Sequence, residues 1–187
     1  MRTKKLNLGC GEFKKKDYIN LDIDKFVNPD ILHDLNKFPY PFKDNTFDLI
    51  EADHVLEHLK EPFKVMNELR RILKPQGKLI IKVPHFSRGF THPDHKNGFD
   101  VQFPLWFNKN FKGGYTGIEF KLVSMKMHWF GQPYLKKTVL SKPVYYSSLA
   151  VGEIVSFLAS LSPMLCSKVW CFWVGGFDEI EFYFTKL

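Results

Sequence analysis

The chain has only three cysteines among its 187 residues, Cys10, Cys166 and Cys171, with no CxxC pair and one left over in any disulfide scheme. That usage suits a reducing compartment. The amino end, Met1-Arg-Thr-Lys-Lys, runs into a short strand-like stretch with no apolar run of signal-peptide length, so secretion is not expected and a cytoplasmic location is. Internal repeats, low-complexity tracts and a dedicated nucleic-acid module are all missing, which makes nucleic acid an unlikely partner. The most apolar segment, about 145 to 173, carries Glu153 inside it and is broken by Pro163, leaving it short of the roughly 20 residues a membrane span needs. Charge of one sign is in modest excess: the net charge of +7 comes from lysines scattered apart from Lys4-Lys5 and Lys14-Lys15-Lys16, the pattern of a solvated face.

What is there is a folding composition. With 44% hydrophobic, 25% charged and 16% aromatic residues, the chain departs from the aromatic-poor composition of disordered proteins and is long enough to bury one core. One domain over residues 1–187 is the expectation. Short apolar runs stop at glycine or acidic residues: Lys5 to Leu8 before Gly9-Cys10-Gly11, Tyr18 to Leu21 before Asp22, Ile31 to His33 before Asp34, and Phe47 to Ile50 before Glu51. Phe63, Met66, Leu69 and Leu73 then recur at helical spacing over about 62–73, Pro75-Gln76-Gly77 breaks that helix, and Lys78 to Val83 reads as a fifth strand. Phe120 to Met127 and Glu179 to Thr185 alternate as a sixth and a seventh. This alternation of strand and turn indicates an α/β sheet.

Residues 85–117 show no sustained period and read as a long loop or lid over the carboxyl edge of the sheet. Phe86, Phe90, Phe99, Phe103, Trp106, Phe107 and Phe111 crowd it, either as the lid's own core, as the wall of an apolar pocket, or as platforms for stacking. In the segment 145–173, Val151, Ile154, Val155, Leu158 and Leu161 line one helical face. It is read as an amphipathic helix packed on the protein, with a peripheral membrane contact or a homodimer face as the alternatives.

Two glycines one residue apart after a strand let a backbone approach a ligand closely, because no Cβ intervenes. An acid closing the second strand can accept hydrogen bonds from both hydroxyls of a ribose, and an acid after the third can accept from an adenine amino group. Each feature alone is also an ordinary turn or cap; their order along the chain is what points to a nucleotide-bearing cofactor.

Leu6-Asn-Leu-Gly-Cys-Gly11, Tyr18-Ile-Asn-Leu-Asp22, Asp34-Leu35 with Phe38-Pro-Tyr-Pro-Phe42, Phe47-Asp-Leu-Ile50 with His54-Val-Leu-Glu-His58, and Glu68-Leu-Arg-Arg-Ile-Leu-Lys-Pro75 with Gly77 together resemble the class I methyltransferases, and within them the compact branch grouped as methyltransferase type 11. The resemblance covers roughly residues 5 to 84. It implies a Rossmann-like, seven-stranded, mostly parallel sheet with helices on both faces, to which the patterns of 85–117 and 145–173 add a lid after strand five and a helical insert between strands six and seven. It implies S-adenosyl-L-methionine as cofactor, with Gly9, Cys10 and Gly11 along its methionine part, Asp22 at the ribose, Asp34 and Leu35 at the adenine, and Asp53 and His54 on the sulfonium side. Asn7 stands where many relatives have an acid, so contact to the cofactor's amino group is expected to be weaker or water-mediated, and Cys10 receives no nucleophilic role. Only seven residues, Glu12 to Tyr18, separate Gly11 from the second strand's core, fewer than a parallel crossover with a helix takes, so the first crossover helix is expected to be short or absent. A cofactor without phosphate does not need a helix dipole there.

His85, His92, Asp94 and His95 cluster after the fifth strand as candidates for taking a proton from an acceptor; loop hydrogen bonding and divalent metal binding are the other readings. The expected acceptor is a small molecule or a glycan or lipid precursor, which allows a peripheral position at the inner membrane surface. RNA methylation, supported only by the charge, and a catalytically silent cofactor-fold module that binds a membrane or partner protein are the alternatives. A dinucleotide-binding dehydrogenase ranks below these, because Gly9-Cys10-Gly11 lacks the third glycine of that fingerprint.

Overall fold

The computed structural model describes residues 3–89 and 92–187. Strands β1 (Lys5–Leu8), β2 (Ile19–Asp22), β3 (Ile31–Leu32), β4 (Phe47–Asp53), β5 (Leu73–Pro84), β6 (Phe120–His128) and β7 (Glu179–Lys186) form one sheet in the order β3-β2-β1-β4-β5-β7-β6. The first five are parallel neighbours, and β7 inserts antiparallel between β5 and β6. Helices α1 (Pro62–Ile72), α2 (Phe86–Gly89), α3 (Pro133–Val139), α4 (Lys142–Leu161) and α5 (Pro163–Lys168) complete the described regular structure, with short 3-10 turns between them.

The two faces of the sheet differ chemically. On one, Leu6, Ile50, Leu79, Ile81, Phe182 and Phe184 are all buried beneath α1 and the turn at Phe103–Phe107. Strand alternation sends Asn7, Glu51, Lys82, Glu181 and Tyr183 to the other face. There Lys15 pairs with Glu51, and the Tyr18 hydroxyl donates to Glu51 Oε1 at 2.6 Å. Burial and the Glu51 carboxylate push that phenol up to about 12.

The first crossover is a bare loop between Gly9 and Tyr18, and β1 and β2 still pair in parallel, Leu6 beside Ile19. Side chains replace the missing helix. The Asn7 amide donates to the Phe13 carbonyl at 3.1 Å and to Asn20 Oδ1 at 3.0 Å. Asn20 Oδ1 also accepts from the Lys15 amide at 2.8 Å, while Asn20 Nδ2 donates to Asp30 Oδ2 at 2.9 Å. The connection from β3 to β4 has no α-helix either and is clamped to α1: Glu68 accepts from the Tyr40 amide at 2.8 Å, and Arg71 donates to the carbonyls of Phe42 at 2.8 Å and Tyr40 at 3.1 Å. The Arg71 guanidinium holds the Glu68 carboxyl below its ordinary range.

Three expectations change. Pro75-Gln76-Gly77 does not end one element and start another; β5 runs through it as a bulge, with Leu73 beside Phe47 and Lys78 beside Leu49, and Gln76 at φ 61°. The 85–117 stretch is no single loop over the carboxyl edge: Phe99, Phe103 and Phe107 are buried, and Phe103 and Phe107 pack against Phe182 and Phe184 as core. Phe90 lies outside the described residues. The hydrophobic insert contains a helix of 20 residues, α4, long and apolar enough by length and composition to cross a membrane. Its face of Tyr145, Gly152 and Ala159 is nonetheless buried against the protein, where a Cβ on Gly152 would lie 2.7 Å from that of Phe130.

Asn20→Ala removes an acceptor shared by two buried or half-buried donors, each costing about 1–3 kcal/mol when unpaired. Urea denaturation is expected to show a loss of at least about 2 kcal/mol by that measure, against no measurable change for the exposed substitution Lys16→Ala.

Candidate functional site

The carboxyl ends of the parallel strands converge on one cleft. After β1 the chain turns through Gly9 at φ 62° and Gly11 at φ 47°, conformations that glycine adopts without strain. A Cβ on Gly9 would lie 2.5 Å from Val55 Cγ2, so the turn can close against the segment after β4 only as glycine. The Gly11 amide donates to Asp22 Oδ2 at 2.7 Å and the Asp24 amide to Asp22 Oδ1 at 2.9 Å, which fixes the carboxylate at the end of β2. Asp34 accepts from the Asn36 amide at 2.9 Å, and that bond holds its carboxyl below the ordinary range.

Three cavities adjoin along this edge. The first, about 280 Å³, is lined by Gly9, Asp22, Asp34, Leu35, Val55 and Leu59 among others. Asn7, Cys10, Gly11, Phe13, Asp53 and Tyr134 line a second of about 240 Å³. The third, about 480 Å³, is walled by Glu57, His58, Arg88, His92, His95 and Leu135. His54 borders all three.

His54 sits at φ 53°, just past the end of β4, and is mostly buried. Its Nε2 donates to Glu179 Oε2 at 2.7 Å and its Nδ1 to Glu57 Oε1 at 3.2 Å. Burial disfavours the charged ring, but the two carboxylates outweigh it and raise His54 to about 9. At neutral pH it is an imidazolium and holds no lone pair for base chemistry.

The cleft therefore gathers Asn7, Gly9, Cys10, Gly11, Asp22, Asp34, Leu35, Asp53 and His54 along two of its cavities. Asn7 is buried, with its amide committed to the crossover loop. The Cys10 thiol is pushed up by burial and by the Asp22 carboxylate, which keeps it in the thiol form. The second group divides. His92 and His95 line the large cavity, with ring centroids 4.8 Å apart, and Asp94 is an exposed partner of His58 at 3.2 Å. His85 is fully buried away from them, between Ser87 at 2.6 Å and Ser167 at 3.0 Å, and burial pushes it down to about 4. Sequence reasoning did not reach Glu57, Glu179 or α3, which brings Tyr134 to 5.1 Å from Phe13 across the second cavity. In α3 no residue is buried, so no apolar period marks it; Glu179 showed only as the start of an alternating strand.

Residues 18–81 match the family described as Methyltransferase domain. A solved S-adenosylmethionine-dependent methyltransferase from Archaeoglobus fulgidus shares the fold, with a TM-score of 0.58 over 98% of this chain and 86% of that one at 14% identity. Among curated relatives, an uncharacterised protein of Methanocaldococcus jannaschii is 60% identical over 43 residues, 23% of this chain and 19% of that protein. The ubiquinone/menaquinone biosynthesis C-methyltransferase of Paraburkholderia phymatum is 30% identical over 110 residues, 57% of this chain and 43% of that enzyme. The matches thus span less than half the length of both relatives. With its sheet order, glycine turn and acids in sequence, the chain shares the fold of S-adenosylmethionine-dependent methyltransferases, and the matched segment resembles the Methyltransferase domain family. The matched segment runs from the start of β2 into β5 and includes Asp22, Asp34, Leu35, Asp53 and His54.

A histidine raised from 6.5 to about 9 stabilises the fold fully below pH 6.5 and progressively less as pH rises through 9. His54→Gln is expected to lower Tm at pH 6 and to flatten the decline between pH 6.5 and 9 in thermal melts; an unchanged slope there would remove the ion-pair assignment.

Proposed function

We propose that the chain transfers a methyl group from S-adenosyl-L-methionine to an oxygen, nitrogen or carbon of an amphiphilic small molecule or lipid precursor that reaches the cleft from a membrane surface. The observation that carries the reading is the run of three cavities meeting at His54; in this reading two take the nucleoside and amino-acid parts of the cofactor and the third takes the acceptor. The donor set suits this cofactor: Asp22 keeps unused lone pairs for ribose hydroxyls, Asp34 and Leu35 offer an acceptor and an apolar wall to adenine, and the backbone of Gly9, Cys10 and Gly11 borders the space for the methionine part. When bound, the cofactor supplies an electrophilic methyl on a sulfonium.

The residues around that position hold and orient more than they react. Asp53, Glu57 and Glu179 surround the single imidazolium of His54, so carboxylates outnumber cations where a sulfonium would lie. His54 keeps its proton, and His92, whose Nδ1 accepts from the Asp94 amide, stands in the third cavity as a candidate to receive any proton that leaves an acceptor. A mainly positional role is enough, since in-line displacement depends chiefly on alignment.

Supporting the membrane-facing acceptor, α4 turns Ile154, Phe157 and Leu161 outward at 62, 65 and 70% exposure, and Trp173 beyond it is 80% exposed. Apolar surface of this extent marks an interaction site. Lys136, Lys137 and Lys142 flank it, a pattern suited to an anionic bilayer. Helix α3, which contributes Leu135 to the large cavity, leads directly into α4. With one face packed on the protein, α4 lies along the membrane plane. The Paraburkholderia phymatum relative, named for quinone biosynthesis, supports an acceptor of this kind.

Calorimetry with S-adenosylmethionine and S-adenosylhomocysteine is expected to show binding that Asp22→Ala weakens by about 1–3 kcal/mol; unaltered affinity sinks the ribose assignment. Flotation with phosphatidylglycerol vesicles is expected to carry the protein upward and to fail for Phe157→Asp/Leu161→Asp. Absence of flotation, with a dimer that the same double variant dissociates, would instead make this surface a contact between two copies.

A further inference from the structure

One corner of the acceptor cavity holds a set of metal-binding side chains that methyl transfer itself does not require. Glu57 is fully buried, and while its Oε1 accepts from His54, its Oε2 has no hydrogen-bond partner among the described residues. A buried carboxylate oxygen without a donor is costly, and a cation is the simplest group that would satisfy it. One oxygen of Glu57 and one ring nitrogen each of His58 and His95 lie within 4.8 Å of one another, a span that small side-chain rotations close around a single ion.

The two rings are held as metal-ligating histidines usually are. His58 Nδ1 faces Asp94 Oδ2 at 3.2 Å, and His95 Nδ1 donates to the Gly89 carbonyl. Tying Nδ1 to a carboxylate or a backbone carbonyl fixes the tautomer and leaves Nε2 with its lone pair for a cation. His92 stacks on His95 at 4.8 Å and keeps that ring in place. The neighbouring group of Asp53, His54 and Glu179 is also close together, but His54 spends both nitrogens on carboxylates and offers no lone pair.

We propose that Glu57, His58 and His95 bind one divalent cation of the zinc class, with an open coordination position facing the 480 Å³ cavity. Two imidazoles and a carboxylate are a borderline donor set that favours zinc, cobalt or nickel over calcium or magnesium. An oxygen of the acceptor, as hydroxyl, enol or carboxylate, would take the open position; this last statement rests on the proposed function, and the metal site does not.

The test uses the full chain, stripped with chelator and titrated with cobalt(II). One equivalent is expected to bind with visible ligand-field absorption, and zinc to displace it. Glu57→Gln and His95→Gln are each expected to weaken cobalt binding at least tenfold while retaining the wild-type circular dichroism, and His95→Gln to retain S-adenosylhomocysteine binding. No stoichiometric cobalt uptake by the folded wild type, or equal uptake by wild type and His95→Gln, overturns the site. Cobalt binding without S-adenosylhomocysteine binding would uphold the site and refute the proposed function.

Discussion

The contact between Asn7 and Asn20 at 3.0 Å ties the first two strands to the loop that joins them. A parallel crossover ordinarily meets its backbone hydrogen-bonding needs inside a helix. Here two amide side chains on neighbouring strands do that work, satisfying Phe13 and Lys15 and reaching Asp30 beyond β2. The glycine turn, the Asp22 carboxylate and the wall formed by Phe13 all hang from this pair. Neutral amides suit the task, since they donate and accept at once within a buried site where a charge would need a counterion.

The rest of the edge is assembled from distant parts of the chain. His54 is held by Glu57 three residues away and by Glu179, which arrives on β7. Between them they keep the ring charged and in one orientation, and the three cavities share it as a partition. The site's electrostatics follow from that: several carboxylates around one shared imidazolium, Arg88 and Lys15 at the outer walls, and a hydrophobic wall from Val55, Leu35 and Leu135.

Much of this was legible in the chain itself, for physical reasons. All seven strands carry a period of two or a sharp polar stop, and α1 carries a clean apolar stripe in Val65, Met66, Leu69 and Ile72. The glycines and acids announce themselves because turns at strand ends admit few residue types. What stayed hidden had no local signature. Helix α3 buries nothing and has no stripe; Glu57 looks like any charged residue until folding places it at zero exposure. His85 and His95 are ten residues apart in a histidine-rich stretch, yet one enters the core between two serines and the other lines the cavity. Proximity in sequence carries little information in a segment without a repeating period.

Strand β7 shows where the geometry around His54 is set. Side chains on a strand alternate, so sliding β7 by one residue along β5 would drive Glu179 and Glu181 into the apolar core and set Ile180 and Phe182 among the charged groups of the other face. That penalty leaves a single allowed alignment. The 2.7 Å separation of His54 from Glu179 is therefore metered by greasy residues on a strand 125 positions away. A ruler of apolar side chains, far away in sequence, thus sets the spacing of the charges along the cleft.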